Sequence, residues 1–383
     1  MNVITDTASL ENFAQAAQAA PFMAVDTEFL RETTFWPKLC LIQVAAHGAE
    51  AIIDPLAPGL DLAPLLRLMA KPDLVKVFHA GRQDLEIFLK LMDGRMPNPV
   101  FDTQIAAMAC GYGDSIAYDA LVQAVLKRRV DKSSRFTDWA RRPLSDQQLI
   151  YALGDATHLR DLYPVLLEQL HRGNRLAWLD GELAALVDPA AYDLLPENAW
   201  RRLKVRKTQP EYLAVLAVTA AWRERTAQAR DVPRARVLKD DAIYELAEQR
   251  PRKPEAFERL RAVPRGFGNS RGGQELAQAI DAAMADPSAF APEIERAATL
   301  PNGGGPIVEL LKVLLRLEAE RQGIAPRLLA NAADLEAIAA SDEADTPALQ
   351  GWRREVFGER ALALKQGRIA MTLQRGKVVI VDC

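Results

Sequence analysis

Short apolar runs alternate with segments of helical spacing along the first 170 residues. The runs 39–46 and 51–54 have strand length, and the polar turn 47–50 between them predicts a β-hairpin. Further strands are predicted at 22–29, 74–79 and 100–101, and helices at 8–20, 60–70, 82–92 and from 102 onward. Strands that alternate with helices predict an α/β layer in which parallel strands add to the initial hairpin.

Beyond Gly173 the pattern changes and predicts helices, among them 210–230 and 240–250. The stretch 229–247 resembles 321–339, since each has a helix end, a proline, an apolar turn and another helix. We therefore predict two copies of a small helical domain. The last residues, 375–383, contain the apolar run VVIV and predict a tail strand without an assigned role.

Length and composition predict an ordinary globular protein of two or three domains. The first residues lack a basic region followed by an apolar run, and no apolar stretch reaches membrane-spanning length. The three cysteines have no paired metal spacing, and we expect Cys40 and Cys110 in the core. These features predict a cytoplasmic protein that does not bind membranes.

The net charge of −3 hides an uneven distribution. Residues 1–170 hold 16 Lys and Arg against 21 Asp and Glu, whereas residues 199–274 hold 18 against 9. An acidic half followed by a basic module suits an enzyme that processes polyanions, because Lys and Arg supply affinity for phosphates. Chance clustering on solvated helix faces is the alternative.

Two carboxylates stand at the end of the first long apolar run, where Asp26 and Glu28 are separated by one residue. Alternate strand residues share a face, so both side chains point the same way. Like charges at the edge of a core are costly unless a cation lies between them, and hard divalent cations prefer oxygen ligands. The alternative is a strand end with two solvated acids.

Three further acids and a tyrosine follow. Asp84 opens the helix after one predicted strand and Asp102 ends the next, and both positions also suit helix caps or first-turn acids. Ser145 and Gln148 fit a capping box. Tyr151 and Asp155 follow at a spacing of four, which places them on one face of that helix and suits either a metal-bound water or a buried Tyr beside an exposed Asp.

The acidic positions, in this order and with the tyrosine four residues before the last, resemble the DEDD superfamily of 3′-to-5′ exonucleases in its tyrosine-bearing subgroup. The words VDTEF, LCLIQ, FHAGRQDLEIF, FDTQIA and DWARRPLSDQQLIYALGDATHL are similar to bacterial ribonuclease D. The helical copies resemble the helicase-and-ribonuclease-D C-terminal (HRDC) domain. The resemblance implies an α/β exonuclease domain with an RNase H-like mixed sheet and flanking helices, followed by two all-α HRDC-type domains.

The same resemblance implies an all-oxygen site for two Mg²⁺ or Mn²⁺ ions. Asp26 would bridge both ions, Glu28 and Asp155 would complete the site of the attacking water, and Asp84 would help to hold the second ion. Tyr151 would orient the water, and Asp102 would be a cap or support a ligand. The expected reaction is hydrolysis of 3′-terminal nucleotides of transfer RNA precursors and other small structured RNAs, with release of nucleoside 5′-monophosphates.

Two other functions stay open, a DNA 3′-to-5′ exonuclease of the same superfamily and a non-catalytic RNA-binding scaffold. We expect a monomer that binds RNA. Backbone phosphates would contact the basic run Arg201, Arg202, Lys204, Arg206 and Lys207. Phe35 and Trp36 would either stack on a base or pack over the sheet edge. The predicted domains are the exonuclease domain 1–175, a linker and basic segment 176–208, HRDC domain 209–290, a linker 291–306, and an HRDC-like domain with the tail 307–383.

Overall fold

The computed structural model describes residues 3–135, 137–192, 194–294, 300–301 and 303–383. The contacts within the chain divide it into two compact units. The first unit comprises Met1–Thr27, Leu41–Asp188 and Arg296–Cys383, and the second comprises Glu28–Cys40 and Pro189–Glu295.

A six-stranded mixed sheet forms the centre of the N-terminal α/β region, with the strand order β1-β4-β3-β2-β5-β6. The strands are β1 (Val3–Ile4), β2 (Phe22–Leu30), β3 (Lys38–Ala46), β4 (Ala49–Ile53), β5 (Val75–Phe78) and β6 (Val100–Asp102). The predicted hairpin is confirmed, because β3 pairs antiparallel with β4. The parallel additions are also confirmed, because β5 pairs parallel with both β2 and β6.

Helices accompany this sheet. They are α1 (Thr7–Ala17), α2 (Ala63–Ala70), α3 (Arg82–Leu91), α4 (Thr103–Ala109), α5 (Tyr118–Leu126), α6 (Asp146–Arg172) and α7 (Asp180–Leu186). Of these, α1, α2, α3, α4 and α6 lie where the sequence predicted them, whereas α5 and α7 were not predicted individually. The long helix α6 buries Leu159, Leu162 and Leu166 against Val77 and Phe101 of the sheet layer. This apolar contact fixes α6 relative to β5 and β6, so the first turns of α6 are held in place.

The helical part of the second unit contains α8 (Pro210–Arg230), α9 (Arg234–Val237), α10 (Asp240–Gln249), α11 (Arg271–Ala285) and α12 (Pro287–Phe290). Its core includes Tyr212, Leu216 and Ile280. The segment 176–208, predicted as a linker and basic segment, includes 3₁₀-helices at Pro189–Tyr192 and Pro196–Arg202, and Ala199 is buried in this core. The linker predicted at 291–306 lies partly outside the described residues.

The second helical copy belongs to the first unit. It contains α13 (Gly304–Gln322), α14 (Pro326–Leu329), α15 (Ala332–Ala340), α16 (Gly351–Arg353) and α17 (Glu359–Lys365). Ala325 N–H donates to the carbonyl of Met108, and Trp178 stacks on Trp352 at a centroid distance of 4.2 Å. These contacts join the copy to α4 and to the segment that precedes α7.

The C-terminal residues correct the sequence-based prediction in one respect. Beyond Gly173 only 375–383 was predicted as a strand, but two strands form, β7 (Ile369–Gln374) and β8 (Lys377–Asp382), and they pair antiparallel. Arg375 and Gly376 between them both have positive φ, as a tight two-residue hairpin turn requires. The turn was not predicted because Asn or Asp, rather than arginine, is the usual residue before such a glycine. None of the described helices is both long and apolar enough to cross a membrane.

Candidate metal centre and its neighbours

Three carboxylates converge at the end of β2. One oxygen each of Asp26, Glu28 and Asp155 lies within 4.8 Å of the other two. Asp26 and Glu28 are half-buried residues of the same strand, and Asp155 on α6 is only 8% exposed. Such an arrangement of oxygen donors fits a divalent cation, because the cation would neutralise like charges that are held together.

The start of α6 determines where Asp155 lies. Ser145 caps the helix and accepts from Gln148 N–H at 3.3 Å, while Gln148 Oε1 accepts from Ser145 N–H at 3.0 Å. The predicted capping box is therefore confirmed. Tyr151 follows and donates a side-chain hydrogen bond to Asp155, one turn further along the helix. The Tyr118 hydroxyl, which the sequence did not single out, donates to the backbone carbonyl of Asp155.

Burial is the main influence on the pKa values of two carboxyls of this cluster. Burial and, after it, the nearby Asp155 charge together raise the pKa of Asp26 to about 8. Burial also raises the pKa of Asp155 to about 7, against the hydrogen bond from Tyr151 and the charge of Arg135. Both pKa values therefore lie far above the usual range of an aspartate, so a cation that binds near pH 7 would compete with protons for these carboxyls.

Asp84 lies next to this cluster without being one of its three members. It occupies the first turn of α3, is 9% exposed, and accepts a hydrogen bond from the Thr27 hydroxyl. Burial raises the pKa of Asp84 to about 8, and the charge of Asp26 is the next cause. Thr27 was missed as a supporting residue, because strand alternation places it on the face opposite Asp26 and no sequence signal links it to Asp84.

Asp102 is confirmed as a helix cap. Its Oδ1 accepts from Gln104 N–H at 2.8 Å, and its Oδ2 accepts from Gly81 N–H at 2.8 Å. Asp102 thus ties the start of α4 to the turn that precedes Asp84. That turn is tight, because a Cβ atom at Gly81 would lie 2.5 Å from Phe78 Cβ. The cap and the close approach together fix where α3 begins.

The two aromatic residues predicted to contact nucleic acid, Phe35 and Trp36, differ in their exposure. Phe35 is 4% exposed, and the Arg234 guanidinium lies 4.4 Å from the centre of its ring, while Trp36 is half-buried. Packing within the protein therefore explains the buried position of the Phe35 ring. Stacking of either ring on a base stays a prediction.

The five basic residues at 201–207 are all exposed. Arg202 pairs with Glu224 at 3.0 Å, and Lys207 pairs with Glu248 at 2.6 Å. The Arg206 guanidinium lies 3.6 Å from the centre of the Tyr244 ring. Partners within the protein thus already occupy several of the predicted phosphate contacts, and their role in RNA binding stays a prediction.

Comparison with known proteins defines the class of this chain. Residues 1–171 match a 3′-5′ exonuclease family, and residues 213–280 match the HRDC domain. The chain is therefore a 3′-to-5′ exonuclease with an attached HRDC domain.

Full-length relatives specify the family. The chain is 48% identical to ribonuclease D of Nitrobacter hamburgensis, with 100% of each chain covered. It is 46% identical to ribonuclease D of Gluconacetobacter diazotrophicus, with 98% of this chain and 95% of the relative covered. The chain belongs to the ribonuclease D family, and it is an exoribonuclease of that type.

The fold is shared with a solved structure. The crystal structure of Escherichia coli RNase D matches with a TM-score of 0.81 and 28% identity, over 96% of this chain and 99% of that one. The expected fold class, an α/β exonuclease domain followed by helical domains, is thereby confirmed.

Proposed function

We propose that this protein removes 3′-terminal nucleotides from transfer RNA precursors and other small structured RNAs by metal-assisted hydrolysis, and that it releases nucleoside 5′-monophosphates. The observation that carries this proposal is the convergence of Asp26, Glu28 and Asp155 within 4.8 Å in a chain of the ribonuclease D family. The proposal includes a monomer that acts in the cytoplasm.

The residues present fit a pair of divalent cations, Mg²⁺ or Mn²⁺. Asp26, Glu28 and Asp155 offer closely spaced oxygens, and Asp84 adds a buried carboxylate beside Asp26. An all-oxygen donor set favours these hard ions over zinc. When bound, the ions would neutralise the anionic phosphodiester, activate the attacking water and stabilise the leaving oxygen.

Each side chain then has a defined role. Asp26 would hold both ions, Glu28 and Asp155 would complete the site beside the attacking water, and Asp84 would hold the second ion. Tyr151, which donates to Asp155, would orient the water through its hydroxyl and form no covalent intermediate. The buried Asp155 carboxylate holds this hydroxyl in place, because the two side chains lie one turn apart on α6.

Substitution of single ligands tests the proposal. Asp26→Asn and Asp155→Asn keep the size of the side chain but remove its charge, so we expect hydrolysis to be lost while the melting temperature is not lowered and RNA affinity is retained. The assay follows the shortening of a 3′-extended transfer RNA with Mg²⁺, with Mn²⁺ and with EDTA, and it identifies the released nucleotide. Full activity in either variant would contradict the metal assignment.

A second arm of the same assay tests the polymer that is hydrolysed. RNA and DNA oligomers of one sequence are compared at equal metal concentration, and we expect the RNA to be shortened faster. Equal or faster shortening of the DNA would favour a DNA exonuclease, whereas RNA binding without any shortening would favour a scaffold.

A further inference from the structure

The loop that follows the metal-binding strand is held by the helical module of the second unit. β2, which carries Glu28, ends at Leu30, and β3 begins at Lys38. Only residues 31–37 lie between them. Glu28 itself belongs to the same compact unit as this loop and the helices 189–295. Whatever fixes the short loop therefore also restricts the end of β2.

A single carboxylate holds the backbone of this loop. Asp231 Oδ1 accepts from the N–H groups of both Phe35 and Trp36, each at 3.0 Å. Within the loop, the Thr34 hydroxyl donates to the carbonyl of Trp36 at 2.7 Å. Two donors on one charged acceptor define the position and the direction of the loop backbone at residues 35 and 36.

The ring of Phe35 is held from the same side. The Arg234 guanidinium lies 4.4 Å from its centre and is itself fixed by Glu224, which accepts from Arg234 Nε at 2.6 Å and from Nη2 at 2.5 Å. Glu224 is 1% exposed and also accepts from Arg202 at 3.0 Å. Arg234 is therefore a fixed contact for the ring, because both nitrogens of its fork are bound by a buried acid.

The second helical copy shows that this aspartate is not needed to end a helix. Asp231 ends α8 in the left-handed region with φ 46°, and Gly323 ends α13 in the same region with φ 62°. Glycine adopts this conformation with less strain than aspartate. The carboxylate of Asp231 thus has a role apart from ending the helix, and the two N–H groups of the loop are what it binds.

We infer that Asp231 and Arg234 are positioning residues of the exonuclease: by fixing loop 31–37, they hold the end of β2 so that Glu28 stays in place as a metal ligand. This inference rests on the proposed function, since it takes Glu28 as a ligand. It gives the first helical module a part in catalysis that is separate from RNA binding.

The test uses the full-length chain with Asp231→Gly and Asp231→Asn. The glycine keeps the helix end, as Gly323 does in the second copy, but it removes the carboxylate. The asparagine keeps an oxygen that can accept both N–H groups. The substrate is a short single-stranded RNA, and the readouts are kcat, KM and the Mn²⁺ concentration that gives half-maximal activity. Glu275→Ala, which removes an exposed acid of the same unit, is the control.

We expect Asp231→Gly to lower kcat about tenfold and to raise the half-maximal Mn²⁺ concentration by a similar factor, the lower end of what supporting residues of metal ligands contribute. KM and RNA affinity in EDTA should change less than kcat, because the exposed basic residues at 201–207 are left unchanged. Asp231→Asn and Glu275→Ala should keep kcat within about twofold of the original protein.

Unchanged kcat and Mn²⁺ dependence in Asp231→Gly would overturn the inference, and so would a loss confined to KM or an equal loss in Asp231→Asn. If the glycine variant does not fold, Arg234→Lys decides, because lysine keeps the charge but not the fork to Glu224. A lower kcat in that variant supports the inference, and an unchanged kcat overturns it. Asp26→Asn, measured alongside, separates the two proposals: its retained activity would refute the metal assignment, whatever Asp231 does.

Discussion

The hydrogen bond from Thr27 to Asp84 allows a direct test of how the pKa of a buried carboxyl affects metal affinity. Both side chains are buried, at 6% and 9% exposure, and Thr27→Val removes the hydroxyl with little change in shape. That hydrogen bond lowers the pKa of Asp84, which burial raises to about 8. Its loss should therefore raise the pKa further, so that the metal must displace a more tightly held proton.

The expected size follows from the energy of one such bond. A hydrogen bond to a charged group contributes about 1.5–3 kcal/mol. Because about 1.4 kcal/mol corresponds to a factor of ten, Thr27→Val should weaken metal binding near pH 7 by roughly 10- to 100-fold. The acidic limb of the pH–activity profile should also move to higher pH, since more base is needed to ionise Asp84.

The assay measures activity on a 3′-extended RNA against Mn²⁺ concentration at several pH values. Thr27→Ser is the matched control, because serine keeps the hydroxyl and should keep most of the metal affinity. The reasoning would be refuted if Thr27→Val showed the same half-maximal Mn²⁺ concentration and the same acidic limb as the original protein, or if Thr27→Ser lost as much as Thr27→Val.

Three further predictions concern stability and RNA binding. Burial raises the pKa of Asp155, so the folded metal-free protein keeps a proton that the unfolded chain releases. The melting temperature in EDTA should therefore fall from pH 5 to 8, and Asp155→Asn should make this fall smaller. A melting temperature that rises over this range would contradict the predicted direction of the pH dependence. Ser145→Ala should lower the free energy of unfolding by about 1 kcal/mol in a urea titration, and no change would mean that the cap is not needed. Arg201→Ala and Lys204→Ala should each reduce the slope of log affinity for single-stranded RNA against log salt by about 0.7, whereas an unchanged slope would show that they do not contact phosphates.

Local signals explain what could be predicted from the sequence. The apolar run after Pro21 specified β2 and the shared face of Asp26 and Glu28, and the Ser145 capping box specified the start of the helix that carries Asp155. Such features depend on neighbours within a few residues, so pattern alone reveals them.

Contacts between distant parts of the chain explain what could not be predicted. Asp231 accepts from the backbone of Phe35, 196 residues away, and Thr27 reaches Asp84 across 57 residues. Neither an Asp at a helix end nor a Thr in a strand is unusual by itself, so no local pattern announces its partner. The position of Phe35 also depends on a distant residue, because its ring packs against the guanidinium of Arg234. The sequence near Phe35 is compatible with an exposed ring as well as with a buried one.

The central claim is that Asp26, Glu28, Asp84 and Asp155 form one centre for two divalent cations. The most direct measurement is the number of Mn²⁺ ions bound per chain, titrated by electron paramagnetic resonance in the original protein and in Asp26→Asn. The account predicts two ions per chain in the original protein and a loss of one or both in the variant, because Asp26 is the ligand assigned to both ions. Equal numbers bound with equal affinity in the two proteins would contradict it.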